Sequence, residues 1–313
     1  MGDKHATERL SADAAGILRA SELIVAGELV ALPTETVYGL AARADQAAAV
    51  AAIYRAKGRP DFNPLIVHVP NLAAAERLAE FDVRARMLAE RFWPGPLTLV
   101  LPLKRDAQIA PAVTAGLQAI ALRCPAHPAM RAVLEHTGLP LAAPSANRSG
   151  TVSPTEAGHV LATLDRRIVA VLDAGPTERG LESTIVAVRQ DGWQLLREGP
   201  VERRELVALL AAPSTVTHAS IEAPGQLAQH YSPGKLVRLE ASTAAADEFH
   251  IGFGAVAGAC SLSEEGDLAE AAARLYACLH AAAASIKPRV AVAPIPEEGI
   301  GAAINDRLRR AAA

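Results

Sequence analysis

The chain has 313 residues, half of them hydrophobic and 21% charged, with a formal net charge of -3. This composition excludes disorder and supports a well-buried core, with one large and one smaller domain at this length. A pI near 6.3 provides no whole-molecule positive field for stable nucleic-acid binding, and the dispersed Cys124, Cys260 and Cys278 form neither a disulfide framework nor a zinc cluster.

The N-terminal residues, among them Asp3, Lys4, His5, Glu8 and Arg9, contain no apolar signal segment, and no run approaches the roughly 18 to 20 apolar residues of a membrane span. A cytoplasmic location and no membrane association are expected. Ala14, Ile17, Leu18, Leu23 and Ile24 recur at helical spacing, which predicts a helix over 11–26 with Ser11 as N-cap. Leu29 to Leu32, stopped by Pro33, reads as a buried strand leading into a functional loop, Thr34 to Gly39. Further strands are predicted at 65–69, 97–101, 119–123, 168–172 and 183–188. Helices are predicted at 45–56, 72–78, 83–91, 128–136 and 154–164, the last capped near Ser153-Pro154-Thr155-Glu156. The alternation is an α/β pattern.

Pro213, Ser214, Thr215, Pro224, Gly225, Ser232, Pro233 and Gly234 mark a connector, so the predicted division is 1–211, a linker over 212–234 and a small α/β unit over 235–313. That unit should hold strands at 235–239, 249–253 and 289–293 and helices at 267–284 and 300–310. Its acidic residues Glu264, Glu265, Glu297 and Glu298 read as solvated, which leaves it a supporting role.

Four segments of the larger unit carry chemistry-bearing side chains. Pro33-Thr34-Glu35-Thr36-Val37-Tyr38-Gly39-Leu40 is a hydroxyl-rich loop at a strand end, where α/β proteins bind ligands, although a turn with capping hydroxyls has the same composition. Lys57 and Arg59 flank Gly58, so a point charge and a planar fork can converge on one phosphate; a helix C-terminus also favours cations. His68 lies in an apolar strand. Ala143-Pro144-Ser145-Ala146-Asn147 offers hydroxyl and amide groups between residues small enough for close backbone approach. Gly180-Leu181-Glu182-Ser183-Thr184 puts hydroxyls at a strand mouth, with Arg197 downstream.

In combination, PTETVYGL at 33–40, KGRPDFNPLIVHV at 57–69, APSANRSGTVSPT at 143–155 and GLESTIV at 180–186 resemble the threonylcarbamoyl-AMP synthase family, whose catalytic unit is the YrdC-like domain. The stretch 224–233 and the end GAAINDRL at 301–308 resemble the linker and second domain of its longer members. The resemblance implies an open, twisted mixed α/β sheet with a central cavity, plus a smaller Rossmann-like C-terminal α/β domain. It implies Lys57 and Arg59 as catalytic and ATP-binding residues, with Asn63, Ala119, Ser145, Asn147, Ser153 and Arg197 as further ATP contacts. Relatives often carry threonine where this chain has Ala119, so a contact there falls to the backbone.

Threonine recognition is implied for Thr36, His68, Arg123, Ala143 and Ser183, and Tyr231 is implied as a linker gate. The implied substrates are ATP, L-threonine and bicarbonate or CO2. Mg2+ comes with ATP, and no protein side chain is expected as metal ligand. The implied downstream partner is the tRNA threonylcarbamoyl-transferase machinery that modifies tRNA next to the anticodon. An RNA-binding module and a carbamoyl-phosphate-dependent transferase of the same fold are the competing readings. Near-neutral charge and few aromatics weigh against the first, and missing acylphosphatase-like and zinc-finger segments against the second.

Overall fold

The protein is seen in a computed structural model that describes residues 6–214 and 230–313; positions 215–229 of the expected linker lie outside the described residues. In the larger unit the strands are β1 (Glu8–Ser11), β2 (Val30–Leu32), β3 (Gly39–Arg43), β4 (Ile66–His68), β5 (Leu97–Pro102), β6 (Ala119–Arg123), β7 (Leu141–Ala142), β8 (Ala170–Asp173), β9 (Thr184–Arg189) and β10 (Gly192–Arg197). They form one mixed sheet in the order β1-β8-β2-β3-β7-β4-β6-β5-β9-β10. The strands β4 and β6 run parallel with His68 beside Arg123, and β7 runs antiparallel to β4. The loop after β2, the segment that follows β7, residues Ile66 and His68 of β4, the end of β6 at Arg123 and the approach to β9 at Ser183 share one rim.

Helices α1 (Ala14–Val25), α2 (Ala47–Lys57), α3 (Leu72–Glu76), α4 (Val83–Phe92), α5 (Pro128–Thr137), α6 (Ala157–Leu164) and α7 (Arg203–Leu210) cover the sheet. Two expected caps move. Ser11 is the last residue of β1, paired with Asp173, and α1 is capped by Asp13, whose carboxylate accepts from the Gly16 N–H at 2.9 Å. Glu156 precedes α6 without a side-chain cap, because Ser153 is buried and donates elsewhere. Leu206 of α7 is fully buried in the main core with Trp193, so the larger unit continues through residue 210.

The second unit is a parallel sheet of β11 (Leu236–Arg238), β12 (Glu248–Gly252), β13 (Cys260–Ser261) and β14 (Arg289–Val292) in the order β11-β14-β12-β13, with α8 (Leu268–Ala284) and α9 (Gly301–Ala312). Its core also takes in Val37, Val152 and Leu181 of the larger unit, so one apolar seam joins the two. Gly180 makes that approach possible: with φ of +68°, an added Cβ would lie 2.5 Å from the Ala273 Cα and would clash with the Ala272 carbonyl on α8. Among the described residues, no helix is long and apolar enough to cross a membrane.

Candidate active site

The rim borders a cleft lined by the 34–39 loop, Ile66, His68, Arg123, the 143–145 segment, Glu182, Ser183, Arg59, Arg197, His230 and Tyr231. Backbone contacts set its shape. The Leu40 N–H donates to the Pro144 carbonyl at 2.6 Å, and the Ala146 N–H donates to that of Tyr38 at 2.7 Å. Gly39 faces Ala143 so closely that an added Cβ would come within 3.2 Å of the Ala143 Cβ, which locks the two motif loops together.

Every residue implied for threonine lines this cleft. The Arg123 guanidinium donates from Nη1 to the Thr36 hydroxyl at 2.9 Å and from Nη2 to the Glu35 carboxylate at 2.6 Å, and its Nε donates to the Gly95 carbonyl at 3.2 Å. The ion pair is buried, with side chains 5% and 6% exposed. Burial opposes the Glu35 charge, but Arg123 wins and holds this carboxyl below its usual range. Burial, helped by Arg123, pushes His68 down to about 3, so its ring is neutral, and its buried Nδ1 has no hydrogen-bond partner. The Ser183 hydroxyl lies 2.7 Å from that of Thr98, and Ala143 presents its backbone beside Ile66.

Arg59, Arg197 and Ser145 line the cleft as well, whereas Lys57, Asn63, Asn147 and Ser153 are not part of its lining. Lys57 is buried at the end of α2, with Nζ 2.6 Å from the carbonyls of Ser145 and Asn147 and 3.4 Å from the Asn147 Oδ1. Burial and Arg59 push its pKa down, yet three oxygens around one nitrogen require three protons to donate, which is the ammonium form. Arg59 donates to the carbonyls of Asn63 and Pro64, and burial lowers it to about 10. Arg197 donates from Nε and Nη2 to the Ser183 carbonyl at 3.0 and 2.9 Å. The Asn147 amide donates to the carbonyls of Thr151 and Val152, fixing the loop that holds Lys57. The buried Asn63 Oδ1 has no partner. Ala119 shares the sheet face of Arg123 but lies at the far end of β6, beside Pro102 and outside the cleft lining.

At the mouth, the chain re-enters after the connector. The Ser232 N–H donates to the Gly150 carbonyl, and Tyr231, at φ of +67°, sits fully buried against Tyr276, with ring centroids 5.5 Å apart. His230 also lines the cleft; burial takes its pKa to about 3, and its Nδ1 is unpartnered. Cys124 donates to the Pro70 carbonyl at 3.2 Å, and burial raises it to about 11, which favours the thiol over the thiolate. Glu35, Thr98, Glu182, Tyr276 and Arg307 were absent from the sequence-derived site. Glu35, Glu182 and Arg307 stand inside quoted motifs, but burial as ion pairs leaves no trace in sequence.

A family model described as telomere recombination, covering Sua5, YciO and YrdC, matches residues 22–199, and the C-terminal domain model of threonylcarbamoyl-AMP synthase matches residues 201–313. The chain belongs to the two-domain threonylcarbamoyl-AMP synthase family. It is 45% identical over 233 residues to threonylcarbamoyl-AMP synthase of Bacillus subtilis, covering 72% of this chain and 67% of that one. To the Pyrococcus abyssi synthase it is 44% identical over 222 residues, 68% of this chain and 64% of the relative. The chain thus spans about two thirds of the length of these relatives. The solved P. abyssi Sua5 in complex with L-threonine superposes with a TM-score of 0.88 at 32% identity, over 98% of this chain and 97% of that one. Escherichia coli YciO, at 19% identity and a TM-score of 0.53 over 64% of this chain and 96% of its own, shares the fold of the first unit of this family member.

Proposed function

We propose that this chain condenses L-threonine, bicarbonate or CO2, and ATP into threonylcarbamoyl-AMP with release of pyrophosphate, supplying the activated group for tRNA modification next to the anticodon. The observation that carries the reading is one cleft whose lining has two unlike halves, Arg123, Thr36, Ser183 and an unpartnered neutral His68 in the first and Arg59 and Arg197 in the second, with Lys57 held behind the second against the Ser145 carbonyl. The first half suits a small zwitterion whose carboxylate meets Arg123 and whose hydroxyl meets a neutral imidazole. The second suits a triphosphate.

The threonine amine, once deprotonated, attacks carbon dioxide, or bicarbonate with loss of water, and releases a proton to solvent to leave a carbamate. A carbamate oxygen then attacks the α-phosphorus, and the bond to the β-phosphate oxygen breaks as pyrophosphate leaves. Negative charge accumulates in both steps, so cations fixed before the reaction contribute most of the catalysis. Lys57 cannot wander, because two carbonyls hold it, and it offers a fixed positive charge beside the Ser145–Asn147 backbone. Mg2+ would be held by the phosphates rather than by a protein cage: Glu35 and Glu182 are committed to arginines, and among the described residues no three His, Cys, Asp or Glu side chains converge. Bound in this way, it neutralises phosphate charge and orients the leaving group. No stable nucleic-acid contact is part of the reading.

Pyrophosphate release from Mg-ATP is the test, with and without L-threonine and bicarbonate, in wild type and Lys57→Ala. Release that needs both co-substrates and is lost in the variant supports the synthase; release indifferent to threonine, or none, overturns it.

A further inference from the structure

The seam between the two units passes through the cleft wall. Glu182, which lines the cleft, is 7% exposed, and its carboxylate faces three partners. Its Oε1 accepts from the Ser153 hydroxyl at 2.6 Å, and its Oε2 accepts from the Tyr276 hydroxyl at 2.8 Å and from Arg307 Nε at 3.0 Å. Ser153 belongs to the larger unit, whereas Tyr276 and Arg307 are carried by α8 and α9 of the second. Arg307 is fully buried, donates also to the Glu198 carbonyl at 2.8 Å, and lies over the Tyr231 ring at 5.5 Å.

A carboxylate placed in the wall of a phosphate site is unfavourable unless a cation neutralises it away from the ligand. Arg307 and Arg197 are the two cations whose fields act most strongly on Glu182, and they hold its pKa to about 2 against the cost of burial. Only Arg307 approaches from the interdomain side. If it were absent, Glu182 would turn to Arg197 and draw that fork toward itself.

We infer that Arg307 is a positioning residue of the nucleotide half of the cleft: it satisfies the Glu182 carboxylate from the second domain, keeping Arg197 and Ser153 in place for the triphosphate. The inference rests on the proposed synthase reading. It gives the second unit a defined electrostatic task, which a purely steric cover would not have.

The test uses the full chain and four proteins: wild type, Arg307→Met, Glu182→Gln, and the double variant. Threonine-dependent pyrophosphate release by wild type establishes the underlying reading separately. Calorimetric binding of L-threonine serves as the control for fold and for the other half of the cleft. In Arg307→Met the KM for ATP should rise about tenfold or more while threonine affinity stays within about twofold. Adding Glu182→Gln, which removes the stranded charge and keeps an acceptor for Ser153, should restore the ATP KM to within about threefold of wild type. Glu182→Gln alone is the reference for the double variant, whose ATP KM should match it to within about threefold if Arg307 acts through the Glu182 charge. Rescue is the outcome that loss of packing cannot produce. An unchanged ATP KM in Arg307→Met, or a double variant as impaired as the single one, overturns the inference. If Arg307→Met does not fold, a folded double variant with near-normal ATP KM supports it, and a double variant that is also unfolded refutes it.

Discussion

Replacing Glu35 by glutamine tests whether the Arg123 guanidinium is held for a ligand carboxylate. The carboxylate serves two donors at once, Arg123 Nη2 through Oε1 at 2.6 Å and the Ala126 N–H through Oε2 at 3.1 Å. An amide has one acceptor oxygen, so one of these donors loses its partner, and Arg123 loses its buried counter-charge. Removing one member of a buried ion pair costs about 3–5 kcal/mol, of which the retained hydrogen bond recovers about 1, so the variant should be less stable by about 2–4 kcal/mol. The carboxylate of threonine can supply the missing charge. Saturating L-threonine should therefore stabilise the variant more than wild type, by about 1–2 kcal/mol beyond the mass-action gain. Both tryptophans, Trp93 and Trp193, lie in the larger unit, so urea titration followed by their fluorescence, with and without threonine, reads the relevant domain. The folded-state pKa of Glu35 is depressed, so its stabilisation is complete above its unfolded value and is lost as pH falls through the folded one. The variant should lack that component of acid sensitivity. A stability within about 0.5 kcal/mol of wild type, or a threonine gain no larger than wild type's, would refute the reasoning.

His68 is held neutral with a pKa near 3, below its unfolded value of about 6.5, so the unfolded chain takes up the proton first and stability falls as pH drops from about 6.5 toward 3. His68→Asn should flatten that slope in urea midpoints between pH 7 and 5 and weaken threonine binding in calorimetry. Gly180→Ala places a methyl against the α8 backbone in a left-handed conformation, so about 2–4 kcal/mol of destabilisation is expected from chemical denaturation, together with a raised ATP KM. Serine in place of threonine loses one methyl contact, and kcat/KM in the pyrophosphate assay should fall by roughly 10- to 200-fold and no further.

The alternation of strands and helices was legible because the central strands are apolar runs of β-branched residues and leucine, as at 97–101 and 184–188. Strand β3, Gly39–Arg43, escaped notice because Gly-Leu-Ala-Ala-Arg has neither β-branching nor alternation; it is a strand because β2 and β7 flank it. Strand β1 is a polar edge segment that only β8 defines, and β10 begins at Gly192 after a two-residue Gln190-Asp191 turn. Lys57, Arg59 and the hydroxyls of Thr36, Ser145 and Ser183 stood in quoted motifs, whereas Arg123 and Arg197 lie outside them. Their partners did not stand out, since Glu35 and Glu182 look like surface acids until an arginine from distant sequence buries them.

The place of β8 in the sheet has a kinetic consequence. Both β1 and β2 pair with it, and Thr7 bonds the Ile168 carbonyl 161 residues away in the chain. During synthesis β1 must wait without a partner, and β2 with one edge unpaired, until residues 170–173 have been made. Such non-local closure slows folding and exposes strand edges to other chains in the interval. The short length and polar composition of β1, Glu-Arg-Leu-Ser, limit that exposure on one of the two waiting edges.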